Sequence, residues 1–513
     1  MARSTTATCC LTLPLVVEPW QAHKLEVRFE LARQIYNSFL GKTMKRLRFV
    51  EHLKEYIQIQ TEMKLLFQEG KSGTKEYKLL AKQRRDILKQ NGFTEYAFTT
   101  QMKNFYKWAK PHIGSIVAQS ISNDIWRAFD TYLFHKGRRL HFKRKGAVSS
   151  VAGKGGTNGP NEILYKNGKI VWNKLVLTVK HNPRNEYERH MLDPERHRLK
   201  YCRILRKPSR NVIHYYVQFV LEGRPEIKVN PDTGEMRHPL GSGCVGIDIG
   251  PQTIAYSAET EVNLVELADR VQNIEQQKRI LQRKIERSRR ANNPENYKDN
   301  GPIQRGKKLI WHNSKRYEKT QRELAYLQRR QAEIRKLQHI ELANHLLSLG
   351  DRFIIEDMSW PSLTKRAKKT EISEKTGRYK KKKRFGKSIA NKAPATLVQI
   401  LNTKLISLGL EGVNKVPTTL RASQYNHITE EYVKKELSQR WNEMPDGTRV
   451  QRDLYSAFLL QYVDTTAQTF NQTALKKNYP KFLTYHDAVI ERLKTNPKNI
   501  ASMGLRGAKT KLA

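Results

Sequence analysis

The stretch Cys244 to Tyr256, CVGIDIGPQTIAY, is the strongest constraint on how this chain folds. It reads as a short core strand in which one acid, Asp248, stands among apolar residues and glycine. A carboxylate in a core strand is costly unless it is paired or binds a metal. The rest of the chain must supply partners for that acid or bring a substrate to it.

Charge narrows the substrate. The chain has 513 residues, with 95 Lys and Arg against 49 Asp and Glu, a formal net charge of +46. A compact protein this basic repels itself unless a polyanion neutralises it. The basic residues run from the first helices to the C-terminus, which points to a large nucleic-acid footprint with salt-dependent affinity. The plainer reading is a ribosomal-type or membrane-surface basic protein. Cys9, Cys10, Cys202 and Cys244 form no C-x-x-C pair. That excludes a cysteine zinc finger and argues against a disulfide framework. The apolar run Leu11 to Val17 is broken by Pro14 and too short for a membrane helix, and no signal peptide is read. The expected setting is the prokaryotic cytoplasm, at the nucleoid, with no membrane partner.

Length alone allows two to four domains. Thr8 to Val17 reads as a strand. From about Trp20 a helix carries Leu25, Phe29, Ala32, Tyr36 and Phe39 at core spacing, and helical patterns continue to about Leu88, with a turn at Asn91-Gly92. Val117, Ile121, Ile125, Phe129 and Leu133 mark an amphipathic helix. It leads into a basic knot, GRRLHFKRKG, where Arg138, Arg139, Lys143, Arg144 and Lys145 surround Phe142. Cations around an aromatic suit phosphate contact with base stacking; a solvated basic loop is the alternative. Gly153 to Gly159 lacks the P-loop pattern and reads as a plain linker. Residues 162–222 turn to β-alternation, with Asn167-Gly168 as a hairpin signal, and predict a small antiparallel barrel or sheet.

Beyond the opening strand, Leu267, Val271, Ile274, Leu281 and Ile285 and then Leu324, Leu327, Ile334 and Leu337 mark two long charged helices joined as an αα-hairpin. A second core strand, DRFIIEDMSW, follows, then a basic loop, a helix from Pro394, and VNKVPTT as a further strand. Pro445-Asp446-Gly447 is a turn before a short strand and the helix opened by Asp453.

Three acids stand out by position: Asp248 on the first core strand, Glu356 on the second, and Asp453 at a strand-to-helix junction. Two Mg²⁺ ions can hydrolyse a phosphodiester, one activating water and one stabilising the leaving oxygen. Such ions want a few hard carboxylate oxygens from separate elements. Each acid also has a plainer reading. Asp248 can be a turn or phosphate-site residue, Glu356 a satisfied buried acid, Asp453 a helix N-cap. Asp357, Asp464 and Asp487 compete for the second and third places.

At these residues the chain resembles the TnpB family of transposon-encoded RNA-guided nucleases and the related compact type V CRISPR effectors. GIDIGPQTIAYS is similar to the first RuvC motif, FIIEDMS to the second, and VQRDLYSAF to the third. In the third, Arg452, Asp453 and Ala457 match the pattern D-R-D-x-N-A-A, while Gln451, Tyr455 and Ser456 depart. ARQIYNSF with Asn37, SIVAQSISNDIWRAFDTYLFHKG with HFKRKG, and GKSIANKAPATLVQIL resemble further family segments, so the likeness spans most of the chain.

The resemblance implies an α/β RNase H-like RuvC domain, with all-β and helical parts beside it. These are an N-terminal wedge-type β-barrel (residues 1–40 and 161–240) and a helical recognition insertion (residues 41–160). The nuclease domain would span 241–420, with an αα-hairpin insertion at 266–349, and end in 448–513. It further implies a guide RNA and a target DNA as partners, Asp248, Glu356 and Asp453 as catalytic Mg²⁺ ligands, and metal-dependent cleavage. The family's four-cysteine zinc ribbon is replaced at residues 421–447 by RASQYNHIT, with Asn426 and Thr429 in cysteine places. No zinc is therefore expected, and Tyr425, His427 and Trp441 are expected to rebuild that subdomain by packing.

Three alternatives remain. Asp248, Gly250 and Thr253 fit D-x-G-x-x-T, the phosphate loop of actin-like and sugar-kinase ATPases, but no second glycine-rich phosphate motif follows. An RNA-guided DNA binder that represses without cutting would share the partners, and a cut-and-paste transposase would share the three acids.

Overall fold

The computed structural model describes residues 6–135, 137, 139–155, 161–209, 212–299, 301–306, 308–366, 370–372, 377, 379, 385–436, 439–466, 468–495 and 501–505. The chain divides into two compact units, residues 1–226 and 227–513.

The first unit runs β1 (Thr8–Val16), α1 (Pro19–Glu51), α2 (Lys54–Gln68), α3 (Lys75–Gln90), α4 (Glu95–Tyr106) and α5 (Ser115–Phe134). It continues through β2 (Ser150–Ala152), β3 (Ile163–Lys166), β4 (Lys169–Trp172), β5 (Leu175–Val179), α6 (Glu186–Leu192), β6 (Leu199–Ser209) and β7 (Val212–Glu222). Its seven strands form one antiparallel sheet in the order β2-β6-β7-β1-β5-β4-β3. Asn167 and Gly168 both take positive φ and make the β3–β4 hairpin turn, as an Asn-Gly pair permits at lowest cost.

The sheet is nearly closed, and Gly153 closes it. Its N–H donates to the Cys202 carbonyl on β6, and its carbonyl accepts from Glu162 N–H just before β3. A Cβ at Gly153 would stand 2.5 Å from Ile163 N, so only glycine fits. Gly153 is thus a structural junction rather than plain linker. Glu162 then pins α5 to the barrel, accepting from the N–H groups of Gly114 (2.8 Å) and Val117 (2.9 Å) at the helix N-terminus, where an anion is favoured. Leu25, Phe29, Ala32, Tyr36 and Phe39 are all buried, as are Val117, Ile125, Phe129 and Leu133.

The second unit runs β8 (Cys244–Ile249), β9 (Thr253–Ser257), β10 (Val262–Glu266), α7 (Gln272–Ala291), α8 (Lys315–Leu349), β11 (Arg352–Glu356), α9 (Trp360–Thr364), α10 (Gly386–Lys392), α11 (Pro394–Ser407) and β12 (Asn414–Val416). After these come β13 (Tyr425–Asn426), β14 (Glu431–Tyr432), β15 (Trp441–Glu443), β16 (Arg449–Gln451), α12 (Arg452–Gln461), β17 (Val463–Asp464), β18 (Thr469–Phe470) and α13 (Gln472–Thr495). The central sheet is β10-β9-β8-β11-β12. β8, β9 and β10 form an antiparallel meander, while β11 and β12 run parallel to β8. Period-two alternation sorts the two faces. Val245, Ile247 and Ile249 join Phe353 and Ile355 against Ala343, Leu346 and Leu347 of α8 and Leu397, Leu401 and Leu405 of α11. Ala255, Val262, Leu264 and Ile354 face the opposite way, toward α12 and α13.

The αα-hairpin forms from α7 and α8, with Ile274, Leu281 and Leu327 buried between them. Leu337, expected on the same stripe, is exposed. Over a 35-residue helix a heptad stripe drifts around the axis. By the end of α8 the buried residues are His339, Ala343, Leu346 and Leu347 instead.

Candidate active site

Asp248 lies on the α12 face of the sheet because it alternates with Ile247 and Ile249. Two residues earlier, Gly246 permits the close approach of that helix. A Cβ there would meet the Ala457 carbonyl at 2.1 Å and Gln461 N at 2.2 Å. Backbone therefore rests on backbone, and one turn N-terminal to Ala457 the helix brings Asp453 toward Asp248. Glu356 arrives by register. Ile355 of β11 pairs with Ile247 of the parallel β8, so the next residue along each strand, Glu356 and Asp248, stand side by side at the carboxyl ends. Glu356 shares the face of Ile354, again toward α12. The chain leaves β8 for β9 on one side, and β12 flanks β11 on the other. In open sheets of parallel strands, such a divergence opens a crevice at the strand ends where ligands bind.

The electrostatics follow from this convergence. The Asp248 carboxyl is raised well above the ordinary carboxylate range. Burial is the largest cause, followed by the negative charges of Asp453 and then Glu356; Arg452 and the Ser456 hydroxyl oppose the shift. The Ser456 hydroxyl makes no hydrogen bond within normal geometry, so its easing of Asp248 is through proximity. Glu356 is also raised by burial, against one compensating hydrogen bond from Ala422 N–H to Oε1 at 3.1 Å. Asp453 is not the helix N-cap. Gln451 takes that role, its Oε1 accepting from Leu454 N–H at 2.7 Å. The Asp453 carboxylate is held instead by Arg452, whose Nε and Nη2 both donate to Oδ1 at 3.1 and 2.9 Å. Arg440 stands 3.9 Å from Oδ2. Asp357, Asp464 and Asp487 are exposed, and none contributes to the shift at Asp248.

The donor set suits a hard divalent cation in its chemistry: carboxylates from separate elements gathered until two of them disfavour the charge of Asp248. It is not a closed ligand shell. Among the described residues no group of three or more His, Cys, Asp and Glu is arranged to hold a metal ion, and Arg452 occupies Asp453.

The residues that departed from the family pattern have structural work. Gln451 caps α12, Ser456 faces Asp248, and Tyr455 binds His427. The Tyr455 hydroxyl lies 2.7 Å from His427 Nδ1 and accepts from His427 N–H at 3.0 Å. Burial, with the Lys476 charge adding, pushes His427 down to about 4. Tyr425 stacks on Phe470 at 4.5 Å, and Trp441 Nε1 donates to the Gly504 carbonyl at 3.1 Å. Residues 421–447 are thus tied to α12, α13 and β18 by aromatic packing. Gly250 N–H donates to the Thr253 carbonyl, closing the turn from β8 to β9.

In the first unit, the basic knot divides. Arg138 lies outside the described residues. Arg139, Arg144 and Lys145 are exposed, as is Phe142. Lys143 is different: Asn37 holds its backbone from both sides, donating to its carbonyl at 2.8 Å and accepting from its N–H at 2.9 Å. Its ammonium lies 4.0 Å from the centre of the Tyr36 ring, and burial pulls its pKa down. Lys143 anchors the knot, leaving its neighbours outward.

No family model matches the chain, and neither does any curated protein. Solved structures do. One is the Cas12f1–sgRNA–target DNA complex, at 10% identity and a TM-score of 0.41, covering 88% of this chain and 98% of that one. Another is the CRISPR-Cas12f ternary complex, at 12% identity and a TM-score of 0.26, covering 86% and 82%. Those values are too low to assign a fold or an activity to this chain. No helix among the described residues is long and apolar enough to cross a membrane.

Proposed function

We propose that this chain is an RNA-guided DNA endonuclease whose RuvC-type site, Asp248, Glu356 and Asp453, hydrolyses phosphodiesters with Mg²⁺. The observation that carries the reading is the convergence of these acids: Asp248 and Glu356 at the carboxyl ends of two neighbouring parallel strands, and Asp453 in the first turn of the helix packed on them. The two strands belong to a mixed five-stranded sheet of order β10-β9-β8-β11-β12. A cluster of like charges gains a use if cations neutralise it. Asp248, Glu356 and Asp453 would hold those ions, whose chemistry when bound is to activate water and stabilise the leaving oxygen. Arg452 and Arg440 border the site and can orient a phosphate by charge-assisted hydrogen bonds. Guide RNA and target DNA are the proposed partners, with Arg139, Arg144 and Lys145 among the phosphate contacts.

A second reading is an RNA-guided DNA binder that does not cut. The Arg452 clamp on Asp453 favours it. The two part on one experiment. The protein purified from its native locus should carry a co-purifying RNA. Loaded with it, the wild type should cut matched DNA in Mg²⁺. Asp248→Ala should lose cleavage by on the order of a thousandfold or more while RNA and DNA binding stay largely intact. A wild type that binds matched DNA but never cuts it would establish the second reading, and absence of bound RNA would remove both.

A further inference from the structure

Asp453 stands just past a corner where a strand becomes a helix, and the corner is held at one buried atom. β16 ends at Gln451 and α12 begins at Arg452. In the pairing of β15 with β16, Trp441 stands opposite Gln451, and the Arg452 N–H donates to the Arg440 carbonyl at 2.9 Å. Successive N–H groups along an antiparallel strand point to opposite sides, so the Gln451 N–H points away from β15. Gln451 is wholly buried. A buried backbone N–H is costly unless something accepts from it.

His486 of α13 supplies the acceptor. Its Nε2 accepts from the Gln451 N–H at 2.9 Å. The donor there is a backbone N–H, so Nε2 carries the lone pair and the ring proton sits on Nδ1. Nδ1 in turn donates to Asp487 Oδ1 at 2.8 Å. The imidazole is buried, with the rings of Trp441 and Phe482 beside it. Burial pulls its pKa down against the Asp487 charge, in keeping with a neutral ring. An aliphatic side chain would fill this space, but only an acceptor satisfies the N–H. Asp487, a competitor for a catalytic place on sequence grounds, is thus the partner that sets the tautomer of His486. Neither residue belongs to the segments that carry the family likeness.

From Gln451 the constraint passes to the acid. The Gln451 side chain caps α12 at the Leu454 N–H, and Arg440 holds the Arg452 N–H. These contacts fix the first turn of α12, which carries Asp453 and the Arg452 side chain bonded to it. We propose that His486, in the tautomer set by Asp487, is a positioning residue for the acid centre: it holds the Gln451 backbone so that Asp453 presents its carboxylate beside Asp248 to a shared metal ion. This deepens the proposed function and rests on it. Groups that orient a ligand from behind tune metal affinity without touching the metal.

The test reads metal binding, not cleavage. Mn²⁺ is titrated into the full chain and the free ion is counted by electron paramagnetic resonance, with Asp248→Ala defining which binding belongs to the acid centre. His486→Leu, which fills the space without an acceptor, should weaken that binding roughly tenfold or more. His486→Gln, whose amide oxygen can accept the same N–H, should recover most of it. Thermal unfolding identifies the folded variants. If the leucine variant does not fold, Asp487→Ala and Asp487→Asn take its place. Alanine leaves Nδ1 without its partner and should weaken Mn²⁺ binding severalfold; asparagine keeps an acceptor and should not. Folded leucine and glutamine variants that bind Mn²⁺ equally, or in the second arm an Asp487→Ala variant that binds like wild type, overturn the inference. A wild type with no Mn²⁺ site that Asp248→Ala removes would end both the acid-centre reading and this inference. A wild type that binds Mn²⁺ there, with the glutamine rescue intact, and never cuts guided DNA would end the nuclease reading alone.

Discussion

Arg28 in the first unit and Asp248 in the second each set a charge against a sheet, and the two are treated in opposite ways. In the first, Arg28 is 3% exposed. Its Nη1 and Nη2 donate to the carbonyls of Trp172 (2.6 Å) and Asn173 (2.9 Å), and the guanidinium lies 4.5 Å from the centre of the Trp172 ring. Burial still lowers its pKa to about 10, and Nε finds no partner, but both terminal nitrogens and the ring contact are complementary to its charge. In the second, Asp248 meets two more carboxylates, with Arg452 and a hydroxyl as partial relief. A buried charge that serves the fold is given partners. One surrounded by its own sign is kept at a cost, and such sites are where function concentrates.

The difference can be broken from either side. The largest effect is expected at Gly246→Val, which forces side-chain atoms into the α12 backbone. Chemical denaturation should show a loss of roughly 3 kcal/mol or more, with cleavage lost as the acids separate. Next is Arg28→Met, which keeps volume but abandons two carbonyls. A loss of roughly 2–4 kcal/mol is expected, and an unchanged stability would mean that Arg28 is no better served than Asp248.

Asp248→Asn should have the smallest effect and the opposite sign, a gain on the order of 1 kcal/mol at neutral pH. The sign follows from linkage. The folded-state pKa is raised above the ordinary 3.8. Below that value the acid holds its proton in both states and contributes nothing. As pH rises past it, the unfolded chain ionises while the folded one resists, so wild type loses stability relative to the asparagine variant. The gap should open upward from about pH 4, read by thermal unfolding across pH. A gap that closes as pH rises would mean Asp248 is stabilised by partners, as Arg28 is.

Much of this was legible in the chain itself, because the signals are local. Asn167-Gly168 announces its hairpin, and FIIE and VGIDI read as core strands. The stripe from Leu25 to Phe39 points inward as its spacing requires. What escaped was contact between distant segments. Nothing near Gly153 says that it meets Ile163 across a barrel seam, and nothing near Gly246 says that α12 will rest on it. Asp453 had the helix N-cap as its plainer reading because Asp favours that place, but Gln451, just before the helix, takes it. Lys143 read as one cation among five until Asn37, far earlier in sequence, was seen to hold its backbone. The Arg440 approach to Asp453 likewise depends on a loop and hairpin whose residues say little about their surroundings.

The central claim is that Asp248, Glu356 and Asp453 work as one centre. Groups that act as a unit are strongly non-additive, so the most direct measurement is the Mg²⁺-dependent cleavage rate of guided DNA by single and double alanine variants. If the acids form one centre, each single variant collapses the rate, and Asp248→Ala combined with Glu356→Ala or Asp453→Ala is no slower than the singles. Losses that multiply, or a single variant that cuts like wild type, would contradict it.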